Sequence, residues 1–180
     1  VLQKVVDRLC TEMEQQSADV EFEDPLLWCV RGFPGTGKSK VILLLRDLFG
    51  VCGWQMGLEY QLAVLQAVTA HHIGGGTLHH YCGISWTGAQ ETDTKKHSKV
   101  AERVLQSLWL TIDDISMVSS KLIAEIDTEL RRIIRKFHTM ETGPQGLDRP
   151  FGGLNVLLVG GFWQFEPPAG RFSGQYTRRV

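Results

Sequence analysis

The run "GFPGTGKS", Gly32 to Ser39, satisfies G-x-x-x-x-G-K-[ST] at every constrained position. That spacing suits one chemistry, the holding of a polyphosphate. Gly32, Gly35 and Gly37 permit a tight turn and close backbone approach. Pro34 and Thr36 complete the loop, whose N–H groups surround phosphate oxygens where a helix begins. Lys38 can reach the β- and γ-phosphates, and the Ser39 hydroxyl can ligate magnesium. A glycine-rich turn with an exposed lysine is the plain alternative. The second candidate is "LWLTIDDISM", Leu108 to Met117, where an apolar run ends in adjacent carboxylates, Asp113 and Asp114. Two like charges beside a buried strand raise the free energy unless a cation or a proton compensates. A solvated turn after a strand is the competing reading, and these ten residues alone do not separate the two.

A phosphate loop elsewhere in the chain gives the pair a role, because an apolar strand followed by an acidic pair is the Walker B arrangement. Asp113 would hold magnesium, directly or through water, and Asp114 would orient or deprotonate the attacking water. Aspartate is one methylene shorter than the glutamate usual there, which sets the base back by about an ångström.

Other chemistry-bearing residues are less ordered in spacing. His71, His72, His79, His80 and Cys82 form a dense group of possible zinc ligands, but in no usual zinc spacing. Arg131, Arg132, Arg135, Lys136 and His138 could meet phosphates, although a charged stripe opposite apolar residues is more often a solvated helix face. Phe162 and Trp163 could stack on bases or fill the core.

These residues need a scaffold, and composition allows one. At 180 residues, 43% hydrophobic and 22% charged, the chain can bury one sizeable core. A formal charge of -1 excludes a polyanion-coating protein and leaves only local nucleic-acid surfaces. Cys10, Cys29, Cys52 and Cys82 contain no C-x-x-C, which disfavours a disulfide framework and fits a reducing compartment. No apolar run approaches the roughly 18 residues of a membrane-spanning helix, and the N-terminus lacks a signal-peptide pattern. A first residue of Val1 rather than Met fits a piece of something longer.

Helical spacing of Leu2, Val5, Val6, Leu9, Cys10 and Met13 predicts a leading helix, followed by an acidic surface linker, together residues 1–24. "PLLWCV" reads as a strand covered on both faces, running into the phosphate loop. "KVILLLRDLF" reads as a buried helix capped by Gly50. "YQLAVLQAV" reads as a strand turning into a helix, and "SWTGAQETDTKKHSK" as a loop. Val100, Val104, Leu105 and Leu108 mark another helix. Leu122, Ile123, Ile126, Leu130, Ile133, Ile134 and Phe137 lie opposite Lys121, Glu125, Glu129, Arg132 and Lys136, giving the clearest amphipathic helix. "TGPQGLDRPFGG" is a loop before a last strand, "NVLLV". Strands alternating with helices over residues 25–180 predict an α/β domain, mainly a parallel sheet with helices on both faces.

Taken in order, these motifs resemble the PIF-type (petite integration frequency) DNA helicases of helicase superfamily one. "GFPGTGKS" is similar to their motif I and "IDDISM" to their motif II "IDEISM". "IGGGTLHHYCGI" resembles the segment after motif Ia, and "PFGGLNVLLVGGFWQ" the run into motif III. The likeness spans Gly32 to Pro168. It implies a RecA-like P-loop NTPase domain binding ATP and magnesium, with Gln164 sensing the γ-phosphate. It further implies Thr77 and His79 beside a single-stranded DNA channel, and a second RecA-like domain whose arginines complete the ATP site. The family resemblance also implies work in DNA repair and recombination, inside the cell, in the nucleus or mitochondrion. Gln3 lies near the place of an adenine-reading glutamine motif.

The chain departs from that pattern. Gly161 stands where the family has the aspartate of "GDF", "QFEPP" replaces "QLPP", "LQAVTA" replaces the usual motif Ia, and His80 replaces a serine. Impaired or altered hydrolysis is the expectation. A nucleotide-gated binding module is therefore one rival reading, and a P-loop phosphotransferase another, although no lid arginines or acceptor pocket stand out for the latter.

Overall fold

The structure, a computed structural model, describes residues 1–17, 24–84, 94–137 and 149–161. Among the described residues five strands form one sheet in the order β1-β5-β4-β2-β3, and every pairing is parallel. They are β1 (Leu27–Arg31), β2 (Tyr60–Val64), β3 (Gly76–Thr77), β4 (Trp109–Ile112) and β5 (Asn155–Gly160). Helices α1 (Leu2–Ser17), α2 (Lys38–Val51) and α3 (Ala67–Ile73) cover one face. The other face carries α4 (Leu78–Cys82), α5 (Thr94–Gln106) and α6 (Ser120–Phe137).

Alternation along the strands explains the two layers. In β2, Tyr60, Leu62 and Val64 point into the core under α1 to α3, whereas Ala63 joins the core under α4 to α6. Trp109 and Leu110 divide in the same way in β4, as do Leu157 and Val156 in β5. A strand apolar on both faces is the signature of a parallel sheet buried on both sides. The Phe49 ring joins α2 to the sheet, its centroid 4.8 Å from that of Tyr60 and 5.5 Å from that of Trp109. In α6, Ile126, Leu130, Ile133 and Ile134 are buried, while Lys121–Glu125 and Arg132–Glu129 ion pairs line its outer surface. Of the charged stripe, Arg132, Arg135 and Lys136 are exposed, and Arg131 pairs with Asp127 at 2.9 Å.

Four expectations need correction. β1 is an edge strand among the described residues, with Leu27 and Arg31 exposed and its middle half-buried, because only β5 pairs with it. α2 passes through Gly50 and ends at Val51, and its chain reversal uses Gly53 at φ 78°. Its Leu44 and Val51 are exposed, so one face rather than the whole helix is buried. α5 starts at Thr94, inside the stretch read as a loop, because polar residues such as Lys do not by themselves end a helix. Finally, "PFGG" is a short 3-10 turn against α6. A Cβ at Gly152 would stand 2.3 Å from Ile134 Cδ1, and the Phe151 N–H donates to Asp127 Oδ1 at 2.6 Å. That run buttresses the last strand against the last helix.

The sheet is also tied at its N-terminal end. Asn155 Oδ1 accepts from the Leu26 N–H at 2.8 Å, and its amide donates to Glu12 of α1. Trp109 Nε1 donates to the other Glu12 oxygen at 3.3 Å, and Arg8 pairs with Glu12 at 3.1 Å. With Val5 and Leu9 buried, α1 is packed into the core.

Candidate functional site

β1 delivers the chain to the phosphate loop at the C-terminal end of the sheet. The Gly32 N–H donates to the Gly160 carbonyl at 3.2 Å, anchoring the loop to the end of β5. A Cβ at Gly32 would lie 2.5 Å from Thr36 Oγ1, and Gly35 and Gly37 hold φ of 76° and 84°. Only glycine occupies those left-handed positions without strain. Gly37 is the N-cap of α2, so the helix opens with Lys38 and Ser39 at its positive end. Lys38 Nζ folds back over the loop and donates to the Gly32 and Phe33 carbonyls, each at 2.9 Å. The Phe33 carbonyl also accepts from Thr36 Oγ1 at 2.8 Å.

Asp113 follows β4 directly, its N–H extending the ladder to the Ala63 carbonyl at 3.0 Å. It is 4% exposed. Burial pushes its carboxyl up to about 6, and the neighbouring Asp114 charge adds to this, while the Asp114 N–H and the Lys38 ammonium pull it down. The hydrogen bond from the Asp114 N–H to Asp113 Oδ1 is 2.9 Å. Asp114 itself sits at φ 51°, ψ 45°, a left-handed conformation that aspartate tolerates better than longer side chains. The turn that follows lies against β5, where a Cβ at Gly160 would come within 2.9 Å of the Ile115 nitrogen.

Loop and acidic pair thus share one end of the sheet, and the field of Lys38 reaches Asp113. Beside them opens a cleft of about 530 Å³ whose walls include Arg31, Phe33, Thr36, Lys38, Val41 and Gly161. Arg31 escaped the sequence reading, although it immediately precedes the phosphate loop. The site's oxygen donors, the Asp113 carboxylate and the Ser39 hydroxyl, match the hard-ligand preference of magnesium. Gln164, Phe162, Trp163 and His138 lie outside the described residues.

Thr77 and His79 stand apart, at the β3 edge, with β5, β4 and β2 between them and β1. Thr77 Oγ1 caps α4 by accepting from the His80 N–H at 3.3 Å. His79 is half-buried, and that burial lowers its pKa against the raising influence of Glu125. Arg103 holds the next residue, donating to the His80 carbonyl at 2.9 Å, with His80 Nδ1 3.0 Å away. Within "IGGGTLHH" Gly75 has a packing reason, since a Cβ there would meet the Leu62 carbonyl oxygen at 2.3 Å, and Gly74 has a backbone reason in its φ of 70°. Among the described residues no three His, Cys, Asp or Glu side chains converge as a metal ion needs. Cys82 is buried, its thiol pushed up to about 12 by that burial, whereas His71 and His72 are exposed on α3.

The PIF1-like helicase family profile matches residues 10–175. The chain belongs to the PIF1-like helicase family. Its curated relatives include the ATP-dependent DNA helicase PIF1 of Saccharomyces cerevisiae, 31% identical over 172 residues, which are 91% of this chain and 18% of that protein. The ATP-dependent DNA helicase RRM3 of the same species is 33% identical over 144 residues, 77% of this chain and 18% of the relative. Among solved structures, Bacteroides Pif1 bound to ssDNA is 26% identical at a TM-score of 0.59, covering 82% of this chain and 30% of that one. Bacteroides Pif1 in complex with ADP-AlF4 is 27% identical at 0.59, covering 83% and 31%. The fold of this PIF1-like chain is the RecA-like α/β fold, and the chain spans about a fifth of the length of its curated relatives.

Proposed function

We propose that this PIF1-like chain is the ATP-binding core of a DNA helicase, coupling Mg-ATP hydrolysis to movement on single-stranded DNA when joined to a second RecA-like domain. The observation that carries this reading is the meeting of the phosphate loop with a buried, cation-seeking Asp113 at one end of a parallel sheet. The loop N–H groups from Gly35 to Ser39 would hold the phosphates, and Lys38 would exchange its two carbonyl partners for the β- and γ-oxygens. Magnesium, held by Asp113 and Ser39, would supply charge neutralisation along the phosphate chain. Asp114 would orient water, and Gln164 would sense the γ-phosphate. Residues 25–180 would form the ATP-binding unit, with α1 as a brace on its core. Complexes of Bacteroides Pif1 with ssDNA and with ADP-AlF4 support both ligands. Thr77 and His79, at the far sheet edge, would meet the DNA strand away from the nucleotide. Family membership also supports a nuclear or mitochondrial place and a part in DNA repair and recombination.

Calorimetric titration of ATP tests the site directly. Lys38→Ala should weaken ATP binding at least tenfold, about 1.4 kcal/mol, with the fold intact by circular dichroism. Unchanged affinity refutes the assignment. Turnover with and without single-stranded DNA then separates a motor, which DNA stimulates, from a nucleotide-gated module, which binds ATP without turning it over. Single-strand affinity should be about micromolar or weaker with a shallow salt slope, given a formal charge of -1.

A further inference from the structure

We infer that Thr36 is a positioning residue for nucleotide capture, its hydroxyl holding the Phe33 carbonyl so that Lys38 can leave that carbonyl for phosphate. Resting on the nucleotide-site reading above, this role regulates the same site: it sets how readily the lysine is released. Three donors converge on the Phe33 carbonyl oxygen. The Thr36 hydroxyl lies at 2.8 Å, the Lys38 ammonium at 2.9 Å and the Thr36 N–H at 3.3 Å. A carbonyl oxygen offers two lone pairs, so the three donors compete.

Two of them are groups that a phosphate loop lends to its ligand. Once phosphate is bound, the backbone N–H groups turn to its oxygens and the lysine reaches the β- and γ-phosphates. Each departure takes a partner from the Phe33 carbonyl, and the ammonium takes a charge-assisted one, the stronger kind. The Thr36 hydroxyl is the donor that remains. Before phosphate arrives it shares the oxygen with Lys38 and weakens the ammonium's hold; afterwards it keeps the carbonyl bonded. The packing of the loop seats the hydroxyl for this. A Cβ at Gly32 would stand 2.5 Å from Thr36 Oγ1, so the hydroxyl is folded back against the first glycine of the loop.

The test is a double-mutant cycle, read by calorimetric titration of Mg-ATP into the wild-type chain, Thr36→Val, Thr36→Ser, Lys38→Ala, and Thr36→Val combined with Lys38→Ala. Thr36→Val keeps the branched shape and removes the donor, and should weaken ATP by about three- to tenfold. Thr36→Ser restores the donor and should stay within about twofold of the wild type. With Lys38→Ala no ammonium competes for the carbonyl and only the longer Thr36 N–H bond is given up, so adding Thr36→Val should cost less than about twofold more. An equal loss in both backgrounds would mean that the hydroxyl acts on loop shape or on phosphate by itself, and would overturn the inference. No loss in Thr36→Val, or no rescue by Thr36→Ser, would overturn it too. If Lys38→Ala weakens ATP while Thr36→Val does not, only the role of Thr36 fails. If the wild type binds no ATP, the nucleotide-site reading itself fails. Thr36 is exposed, so its variants should fold, and a thermal melt verifies this.

Discussion

Asn155 and Asp113 are buried at opposite ends of adjoining strands, 3% and 4% exposed, and the chain treats them differently. Asn155, at the N-terminal end of β5, is surrounded by Glu12, the Leu26 N–H and the Leu108 carbonyl. Asp113, just past the C-terminal end of β4, accepts a hydrogen bond from its neighbour's N–H and faces a second carboxylate. A buried polar group with its partners supplied holds a structure together, whereas an ionisable one left short of partners costs stability. The first tethers α1 to the sheet. The second leaves a negative charge to be met by a cation brought with a ligand, as expected of a functional site.

The largest effect should come from the satisfied end. Asn155→Ala would strand the Leu26 N–H and remove a tether of Glu12, and should destabilise the chain by about 2–4 kcal/mol in urea unfolding. A neutral result would break the comparison at its structural pole.

The opposite sign is expected at the other pole. A raised Asp113 pKa means that its stabilising contribution is full below the unfolded value of 3.8 and is lost as pH climbs through about 6. Asp113→Asn removes that loss. Without magnesium or nucleotide it should therefore stabilise the chain by up to about 3 kcal/mol above pH 7, with the gain shrinking toward pH 4. Magnesium-dependent ATP binding should vanish in the same variant. Melting curves across pH that show equal stability at both extremes would remove the claim that Asp113 is held under tension.

Thr77 sharpens the contrast, because it lies at the same C-terminal end of the sheet as Asp113 yet has a hydrogen-bonding role within the fold. Thr77→Ala should cost about 1 kcal/mol through loss of the α4 cap, and Thr77→Ser should retain it. A loss of single-strand affinity in Thr77→Ala that Thr77→Ser does not restore would assign the methyl group, rather than the cap, to DNA contact.

Asp114→Glu should produce the smallest change. A longer carboxylate recovers reach but must adopt the left-handed backbone at φ 51°, so hydrolysis should rise by only about two- to threefold. Supplying the second domain and Gly161→Asp would test whether the gain grows. A fall in turnover in every background would make aspartate the working base or a structural residue.

Local spacing alone carried the phosphate loop, the acidic pair, the α6 stripe and the alternation of strands with helices, because each depends on neighbours within a few turns of chain. Even "PFGG" and "IGGG" were visible as motifs. Their reasons were not, since Ile134 is 18 positions from Gly152 and meets it only because α6 packs on the short turn that leads into β5. The ends of α2 and α5 were misjudged for a related reason. A glycine or a polar run permits a helix boundary without imposing one, and packing decides.

What the sequence by itself determined is the set of groups available: a glycine-rich loop ending in lysine and serine, an adjacent pair of carboxylates, and strands apolar enough for a covered parallel sheet. Only the tertiary structure decided which groups stand together. Glu12 reaches Asn155 across 143 positions of chain, and the register of β1 on β5 places Arg31 opposite Gly160 at the mouth of the cleft. The same layering separates Thr77 from Lys38 by the width of the sheet. Strand order and register are set by burying both faces of the central strands β2, β4 and β5 at once, a condition no local stretch of residues contains.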